Sequence, residues 1–144
     1  MLVPALLAVT LHEVSHGYIA DRMGDPTARL LGRLTFNPFK HLDPVGTLAL
    51  LFFGFGWARP VPVNFGNMQA PKKGMVLVSL AGPISNFVLA GLFALLLRGF
   101  LYLPESFAAE NGALFLEPLK LMAAFGLYVN VILGVFNLIP IPPL

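Results

Sequence analysis

The stretch MVLVSLAGPISNFVLAGLFALLL, from Met75 to Leu97, contains 23 residues and no charged one. About 20 such residues suffice to cross a bilayer as a helix, so this stretch predicts a membrane-spanning helix. Lys73 and Arg98 flank it on its two sides. A second uncharged stretch of 19 residues, from Leu121 to Ile139, predicts another spanning helix.

The composition of the 144-residue chain is that of a membrane protein. Hydrophobic residues make up 57% of the chain and charged residues 11%, against about 25% charged residues in a soluble domain. The mean hydropathy is +0.80, and so few charges cannot solvate a water-facing surface. The net charge of +2 does not favour nucleic-acid binding. The chain has no cysteine, which excludes disulfides and thiolate-bound metals.

The segments outside these two stretches are more varied. The first, from Leu2 to about Ala20, is long enough to span as a helix but contains two histidines and a glutamate. Residues 45–57 are apolar but short and glycine-rich, which favours a re-entrant or interfacial piece. Residues 28–36, between turn signals, predict a short strand or hairpin. Alternating prolines in residues 58–66 predict extended backbone.

The distribution of positive charge predicts an orientation. Seven of the nine Lys and Arg residues lie between Arg22 and Lys73, so the positive-inside rule places that region in the cytoplasm and the loop 99–118 outside. The predicted fold is an all-α, multi-pass membrane protein. It has about three core transmembrane helices plus a short β-hairpin or re-entrant element, within one domain over residues 1–144.

The motif HEVSH, from His12 to His16, is an HExxH motif on a predicted helix. Residues four apart share one helical face, so both imidazoles can reach one metal ion, for which zinc is expected. Glu13 can then accept the proton of the attacking water and return it to the leaving amine. A chance pentapeptide is the alternative reading. Three ionisable residues within five positions are costly in a membrane helix, however, which favours the metal site.

The third metal ligand is not evident within these residues. A catalytic zinc usually has three protein ligands and an open position, and the motif supplies two. His41 and Asp43 are the visible candidates for a third. Their loop is rich in turn residues, so a helix-capping or turn role is favoured for both.

Several blocks extend the similarity beyond HExxH. They are HEVSHG (12–17), GDPTA (24–28), GRLTFNP (32–38), HLDPVG (41–46), PVPVN (60–64), AGPISN (81–86) and NLIPIPPL (137–144). On these residues the chain resembles the site-2 protease family over essentially its whole length. The resemblance is specifically to the short bacterial and archaeal members that lack a PDZ domain.

This resemblance implies a zinc-dependent endopeptidase that hydrolyses peptide bonds in or near transmembrane segments of membrane proteins. It implies zinc held by the two motif histidines and by an Asp of an Asn-x-x-Pro…Asp-Gly pattern, with Glu13 as the catalytic base. The pattern begins at Asn137 and Pro140. The Asp is therefore expected just after Leu144, and the chain is expected to be truncated at its C-terminus.

The resemblance also bears on supporting residues and on partners. Asn86 follows the Gly82-Pro83 interruption of a predicted helix by one turn and can serve either the site or helix packing; the resemblance favours the site. Asn137 is likewise expected to support the site, whereas Asn130 is expected to pack between helices. The expected partners are transmembrane protein substrates and the lipid bilayer of a prokaryotic cell membrane. The oligomeric state stays open.

Two other functions use the same residues differently. A catalytically inactive membrane scaffold of the same fold would lack catalytic residues, but His12, Glu13 and His16 are all present. A metal transporter also places His and Glu in a membrane. It predicts further ionisable residues in the other spans, and the stretches 75–97 and 121–139 contain none.

Overall fold

The computed structural model of the protein describes residues 1–139. Those residues are mostly helical. The helices are α1 (Leu2–Arg22), α2 (Thr27–Leu30), α3 (Pro44–Phe53), α4 (Pro71–Phe100), α5 (Glu105–Asn111) and α6 (Glu117–Leu138). Two short 3₁₀ turns, at Pro38–Lys40 and Phe65–Asn67, and one π-helical turn, at Gly112–Leu116, lie between them.

Two helical stretches of the described residues are long and apolar enough to cross a membrane. They are α4 and the stretch Leu114–Leu138, which contains α6. Both sequence predictions are confirmed as helix, since residues 75–97 lie inside α4 and α6 covers nearly all of residues 121–139. The predicted first helix is also present as α1, but its polar motif keeps it from qualifying as an apolar span.

The core is the bundle in which α4 packs against both α1 and α6, and α1 also contacts α6. Small residues allow the helices to approach closely, as in many membrane bundles. A Cβ atom at Gly126 of α6 would lie 2.6 Å from the ring of Phe93, and one at Gly134 would lie 2.8 Å from the ring of Phe87. Each glycine of α6 thus receives an aromatic ring of α4.

Residues 23–70, called here the connecting segment, join α1 to α4 without forming a sheet. The predicted strand or hairpin at residues 28–36 is wrong: α2 extends into this stretch as far as Leu30, and Gly32 then turns the chain with φ of +66°. A left-handed residue there ends the helical turn in a way that glycine tolerates best. The strand pairing found among the described residues is one isolated antiparallel bridge between Leu42 and Ala58.

The apolar residues after this turn form α3, where a re-entrant or interfacial piece was predicted. Asp43 begins the helix by accepting a hydrogen bond from the Gly46 backbone at 2.8 Å, and Gly54 ends it with φ of +76°. Large apolar side chains on α3, such as Leu51 and Phe52, are exposed. The position of α3 relative to a bilayer stays a prediction.

The loop predicted at residues 99–118 is more ordered than expected. It contains α5 and the π-helical turn that leads directly into α6. The positive-inside rule places this loop outside the cell, and that placement stays a prediction. Glu117 begins α6 and pairs with Lys120 at 3.0 Å, an i,i+3 contact of the kind that supports a helix.

Candidate metal centre

The two histidines of the HExxH motif face each other across one turn of α1. The Nε2 atom of His12 lies 3.0 Å from the Nε2 atom of His16. This follows from the i,i+4 spacing, which stacks the two side chains on the face of α1 that packs against α4. His12 is buried and His16 is half-buried.

The other ring nitrogen of each histidine is held by α4. The Nδ1 atom of His16 lies 2.6 Å from the carbonyl oxygen of Val78, which can only accept a hydrogen bond. The Nδ1 atom of His12 lies 2.5 Å from Oδ1 of Asn86. Both Nδ1 atoms therefore carry the hydrogen, and both Nε2 atoms present a lone pair.

Two lone pairs that face each other at 3.0 Å repel each other unless a metal ion or a shared hydrogen lies between them. Zinc binds imidazole nitrogen at about 2.0–2.1 Å and is commonly held by histidines whose other ring nitrogen donates to an oxygen. The space beside them is kept open by Gly82. A Cβ atom there would lie 2.4 Å from Nε2 of His16 and 2.6 Å from Nε2 of His12. The two histidines and this cradle fit a zinc ion.

Residues 1–139 place no third ligand beside this pair. The described residues contain no group of three His, Cys, Asp or Glu side chains that could hold a metal ion. The predicted third ligand, just after Leu144, lies outside the chain. The Pro140 that belongs to its pattern lies outside the described residues.

The sequence candidates His41 and Asp43 have other partners. Asp43 caps α3, which confirms the favoured capping role. His41 is fully buried, and its Nε2 atom lies 2.8 Å from the carbonyl oxygen of Thr35. His41 thus links the two ends of the turn at 35–41 through a hydrogen bond to the backbone.

Glu13 is held by the connecting segment. Its Oε2 atom accepts a hydrogen bond from the backbone N–H of Val61 at 3.0 Å. The segment reaches α1 because Gly17 leaves room for it: a Cβ atom there would lie 2.7 Å from Leu34 and 2.9 Å from Val61. Residues 58–64, where extended backbone was predicted, form no helix, and Asn64 before the 3₁₀ turn has the extended angles φ −114° and ψ 99°. Through Val61 this stretch fixes one oxygen of the motif carboxylate.

The connecting segment is itself anchored by Asp25. Its carboxylate is fully buried and accepts hydrogen bonds from the backbone N–H of Asn64 at 2.7 Å, from Nδ2 of Asn67 at 3.0 Å and from the Thr27 backbone at 3.2 Å. The Thr27 hydroxyl also donates to it. Burial alone would raise the pKa of Asp25, but these hydrogen bonds outweigh it and lower that pKa below its usual value.

Asn86 contacts His12, while its expected role at the site stays a prediction, and it also contacts a residue that sequence reasoning assigned to packing. Its Nδ2 atom donates to Oδ1 of Asn130 at 2.8 Å and lies 3.3 Å from the carbonyl oxygen of Ala8. Asn130 in turn donates to the carbonyl oxygen of Gly126 at 2.8 Å. No sequence signal marks Asn130, because its contact with Asn86 joins positions 44 residues apart.

Asn137 lies near the end of α6, and its Nδ2 atom donates to the carbonyl oxygen of Leu133 at 2.7 Å. The side chain is exposed in the described part of the chain. This bond stays within α6, so the expected role of Asn137 at the site stays a prediction.

Comparison with known proteins gives several relatives. The chain is 43% identical over 146 residues to YwhC of Bacillus subtilis and 35% identical over 145 residues to Rip2 of Mycolicibacterium smegmatis, each named a "putative zinc metalloprotease". It is 27% identical over 138 residues to zinc metalloprotease MJ0392 of Methanocaldococcus jannaschii. No family model and no solved structure matches it.

These alignments cover almost all of this chain but not all of the relatives. The matched region is 100% of this chain and 64% of YwhC, 96% of this chain and 51% of Rip2, and 96% of this chain and 29% of MJ0392. The predicted resemblance to zinc metalloproteases is confirmed by the names of these homologues.

Proposed function

We propose that this chain, a homologue of proteins named as zinc metalloproteases, is the core of a zinc-dependent intramembrane endopeptidase. It would hydrolyse peptide bonds in or near the transmembrane segments of other proteins. His12 and His16 would hold the zinc together with a third ligand expected after Leu144. The observation that carries this proposal is the pair of Nε2 lone pairs that face each other at 3.0 Å beside Gly82.

The residues divide the chemistry between them. Zinc, when bound, supplies a Lewis acid that lowers the pKa of water to about 7. Glu13 is the general base and returns the proton to the leaving amine. Because the Val61 N–H donates to Oε2 of Glu13, the other oxygen, Oε1, is proposed to take up the proton.

The membrane placement is part of the proposal. Helices α1, α4 and α6 are proposed as the three core spans. The side chains of Leu95 in α4 and Phe136 in α6 are more than half exposed, as expected of surfaces that face lipid. The connecting segment, which carries four of the nine Lys and Arg residues, is proposed to lie on the cytoplasmic side.

An apolar cavity supports a membrane substrate. It has a volume of about 550 Å³ and lies between α1 and α4. Its walls include Leu11, Leu77 and Ile84, together with Ser15 and Ala81, which directly precede His16 and Gly82 in the sequence. Neither motif histidine is among its lining residues, but the cavity lies between the same two helices that carry the proposed metal centre and offers an apolar surface to a substrate segment.

The test uses a polypeptide extended past Leu144 through the expected Asp-Gly. The parent and its Glu13→Gln variant are purified in detergent, their zinc is measured by elemental analysis, and both are incubated with a transmembrane peptide. We expect about one zinc per chain in both proteins and cleavage by the parent alone. A water-soluble peptide of matched length serves as the control for membrane specificity.

Each other outcome changes the conclusion. Absence of zinc from both proteins would overturn the metal site. Zinc in both with cleavage by neither would favour the inactive scaffold. Equal cleavage by the Glu13→Gln variant would remove Glu13 from the role of general base, for which a loss of about 10²–10⁴-fold is expected.

A further inference from the structure

We infer that Asn130 is a positioning residue for the metal ligand His12, acting through Asn86 to fix the hydrogen of that imidazole on Nδ1. The inference rests on the proposed function, since it takes His12 as a zinc ligand. It assigns to α6 a role at a site whose described ligands both lie on α1.

Asn130, Asn86 and His12 form a chain of hydrogen bonds, called here the relay, that begins at the carbonyl oxygen of Gly126. That carbonyl determines the direction of every hydrogen bond in the relay. The carbonyl oxygen of Gly126 can only accept, so the atom of Asn130 that lies 2.8 Å from it is the NH₂ group. Oδ1 of Asn130 therefore points away from Gly126 and faces Asn86. Backbone chemistry on α6 thus sets the orientation of the first amide.

The second amide follows from the first. Because Oδ1 of Asn130 accepts, the facing atom of Asn86 at 2.8 Å is its NH₂ group. The carbonyl oxygen of Ala8, 3.3 Å from the same nitrogen, requires the same orientation. Oδ1 of Asn86 then faces Nδ1 of His12 at 2.5 Å and requires a hydrogen on that nitrogen.

Burial makes this order difficult to reverse. Asn86 and Asn130 are both 0% exposed, so water does not replace a lost partner. Rotation of the Asn86 amide by 180° would direct its oxygen at the Ala8 carbonyl and at Oδ1 of Asn130, leaving two acceptor pairs without a hydrogen. An unsatisfied buried polar group costs about 1–3 kcal/mol, so the orientation seen here is strongly preferred.

The consequence for metal binding concerns the opposite nitrogen. With Nδ1 protonated, neutral His12 presents a lone pair at Nε2, the atom that faces Nε2 of His16. If Asn86 turned its NH₂ group toward His12, the imidazole would move its hydrogen to Nε2. That hydrogen would occupy the position of the metal.

Helix packing alone is the competing explanation for Asn130, since buried asparagines commonly join membrane helices. It predicts that loss of Asn130 weakens the bundle without changing His12. The relay predicts a change in the tautomer of His12, an observable that packing does not alter.

The experiment compares Asn130→Leu, Asn130→Ala and Asn130→Asp with the parent, in the extended protein described above. Leu and Ala remove the acceptor, one with similar bulk and one without. Asp in its protonated form, which full burial favours, keeps an oxygen that accepts from Asn86 and an O–H that donates to the Gly126 carbonyl, and it serves as the matched control. The tautomer of His12 is read by ¹⁵N NMR of ring-labelled histidine in metal-free protein at about pH 8.5, where a group of pKa about 6.5 is neutral. Zinc affinity is measured by competition with a chelator.

We expect the parent and Asn130→Asp to hold the His12 hydrogen on Nδ1. Asn130→Leu and Asn130→Ala should show a mixture with Nε2–H and should bind zinc about 10-fold more weakly, within the range found for partners of metal ligands. An unchanged tautomer and unchanged zinc affinity in folded Asn130→Leu or Asn130→Ala would overturn the inference while leaving the zinc site intact. If the parent itself bound no zinc, the proposed function would fail, and the tautomer of metal-free His12 would still decide whether the relay exists.

Discussion

The HExxH motif of α1 and the connecting segment both contain buried ionisable side chains. The two regions differ in whether the polar atoms of those side chains are already hydrogen-bonded within the chain. In α1, the Nδ1 atoms of His12 and His16 are occupied by α4 and the two Nε2 atoms face each other. In the connecting segment, Asp25 receives four hydrogen bonds from the chain. The first region is proposed to bind a cation, whereas the carboxylate of Asp25 in the second is already bonded within the chain.

A comparison of His41 with His12 shows the same difference between two residues of one type. His41 is more deeply buried than His12, with 0% against 7% exposed. Its Nε2 atom faces the Thr35 carbonyl and therefore carries the hydrogen, and its Nδ1 atom is buried without a hydrogen-bond partner among the described residues. Burial alone does not distinguish a proposed metal ligand from a structural histidine. The distinguishing feature is that Nε2 of His12 faces Nε2 of a second histidine, whereas Nε2 of His41 faces a carbonyl oxygen.

The largest expected effect is the loss of zinc when a histidine of α1 is removed. In the extended protein, His16→Ala should reduce bound zinc to background, because His12 and the ligand expected after Leu144 supply two protein ligands where a catalytic zinc usually has three. His41→Ala should retain zinc and lower the thermal midpoint instead, since it removes the bond to Thr35. Elemental analysis and thermal unfolding of both variants distinguish the two regions. Zinc loss in the His41 variant would contradict the assignment of a purely structural role to His41.

Gly82→Ala tests the space beside the histidines. The added Cβ would lie 2.4 Å from Nε2 of His16, so we expect zinc binding to be lost although both imidazoles remain. Gly91→Ala is the matched control on the same helix, because a Cβ there meets nothing within 4 Å. Zinc content of the two variants is the measurement. Normal zinc in Gly82→Ala would mean that the metal, if present, lies elsewhere.

Val61→Pro tests the point where the two regions meet. Proline has no N–H, so the substitution removes the hydrogen bond to Glu13. Loss of this positioning should lower kcat by about 10²-fold and leave zinc content unchanged. Val63→Pro is the control in the same extended stretch, because the Val63 N–H makes no hydrogen bond in the described part of the chain. Equal kcat values for the two variants would assign the Val61 contact to structure alone.

The smallest expected effect concerns the anchor of the connecting segment. The folded pKa of Asp25 is lower than its unfolded value of about 3.9. Its stabilisation is therefore complete above that value and is lost as the pH falls through the folded pKa. Asp25→Asn should lower the thermal midpoint by about 5 °C at neutral pH and flatten the acid side of the stability curve. An unchanged acid limb would show that other carboxylates control it.

The sequence was sufficient for the features that depend on local spacing. The i,i+4 histidines, the two long apolar helices and the cap at Asp43 follow from patterns within a few residues. The prediction of a strand or hairpin at residues 28–36 was wrong, because turn residues in a sequence do not show whether the turn joins two strands or ends a helix. There, a short helix and a left-handed Gly32 replace paired strands.

The supporting residues required the tertiary structure. Asn130 and Asn137 are seven residues apart on α6, and both donate to the carbonyl four residues earlier. Only Asn130 meets Asn86, and this depends on how α6 is rotated against α4. Sequence reasoning assigned the supporting role to Asn137 and packing to Asn130, and nothing in the local pattern could rank them.

The most direct test of the metal centre is ¹⁵N NMR of the three histidine rings in the extended protein, before and after the addition of zinc. We predict that the Nε2 signals of His12 and His16 shift on zinc addition while their Nδ1 atoms stay protonated. His41 should keep its hydrogen on Nε2 and show no zinc-dependent shift. A zinc shift at His41, or at only one of the two histidines of α1, would contradict the proposed centre.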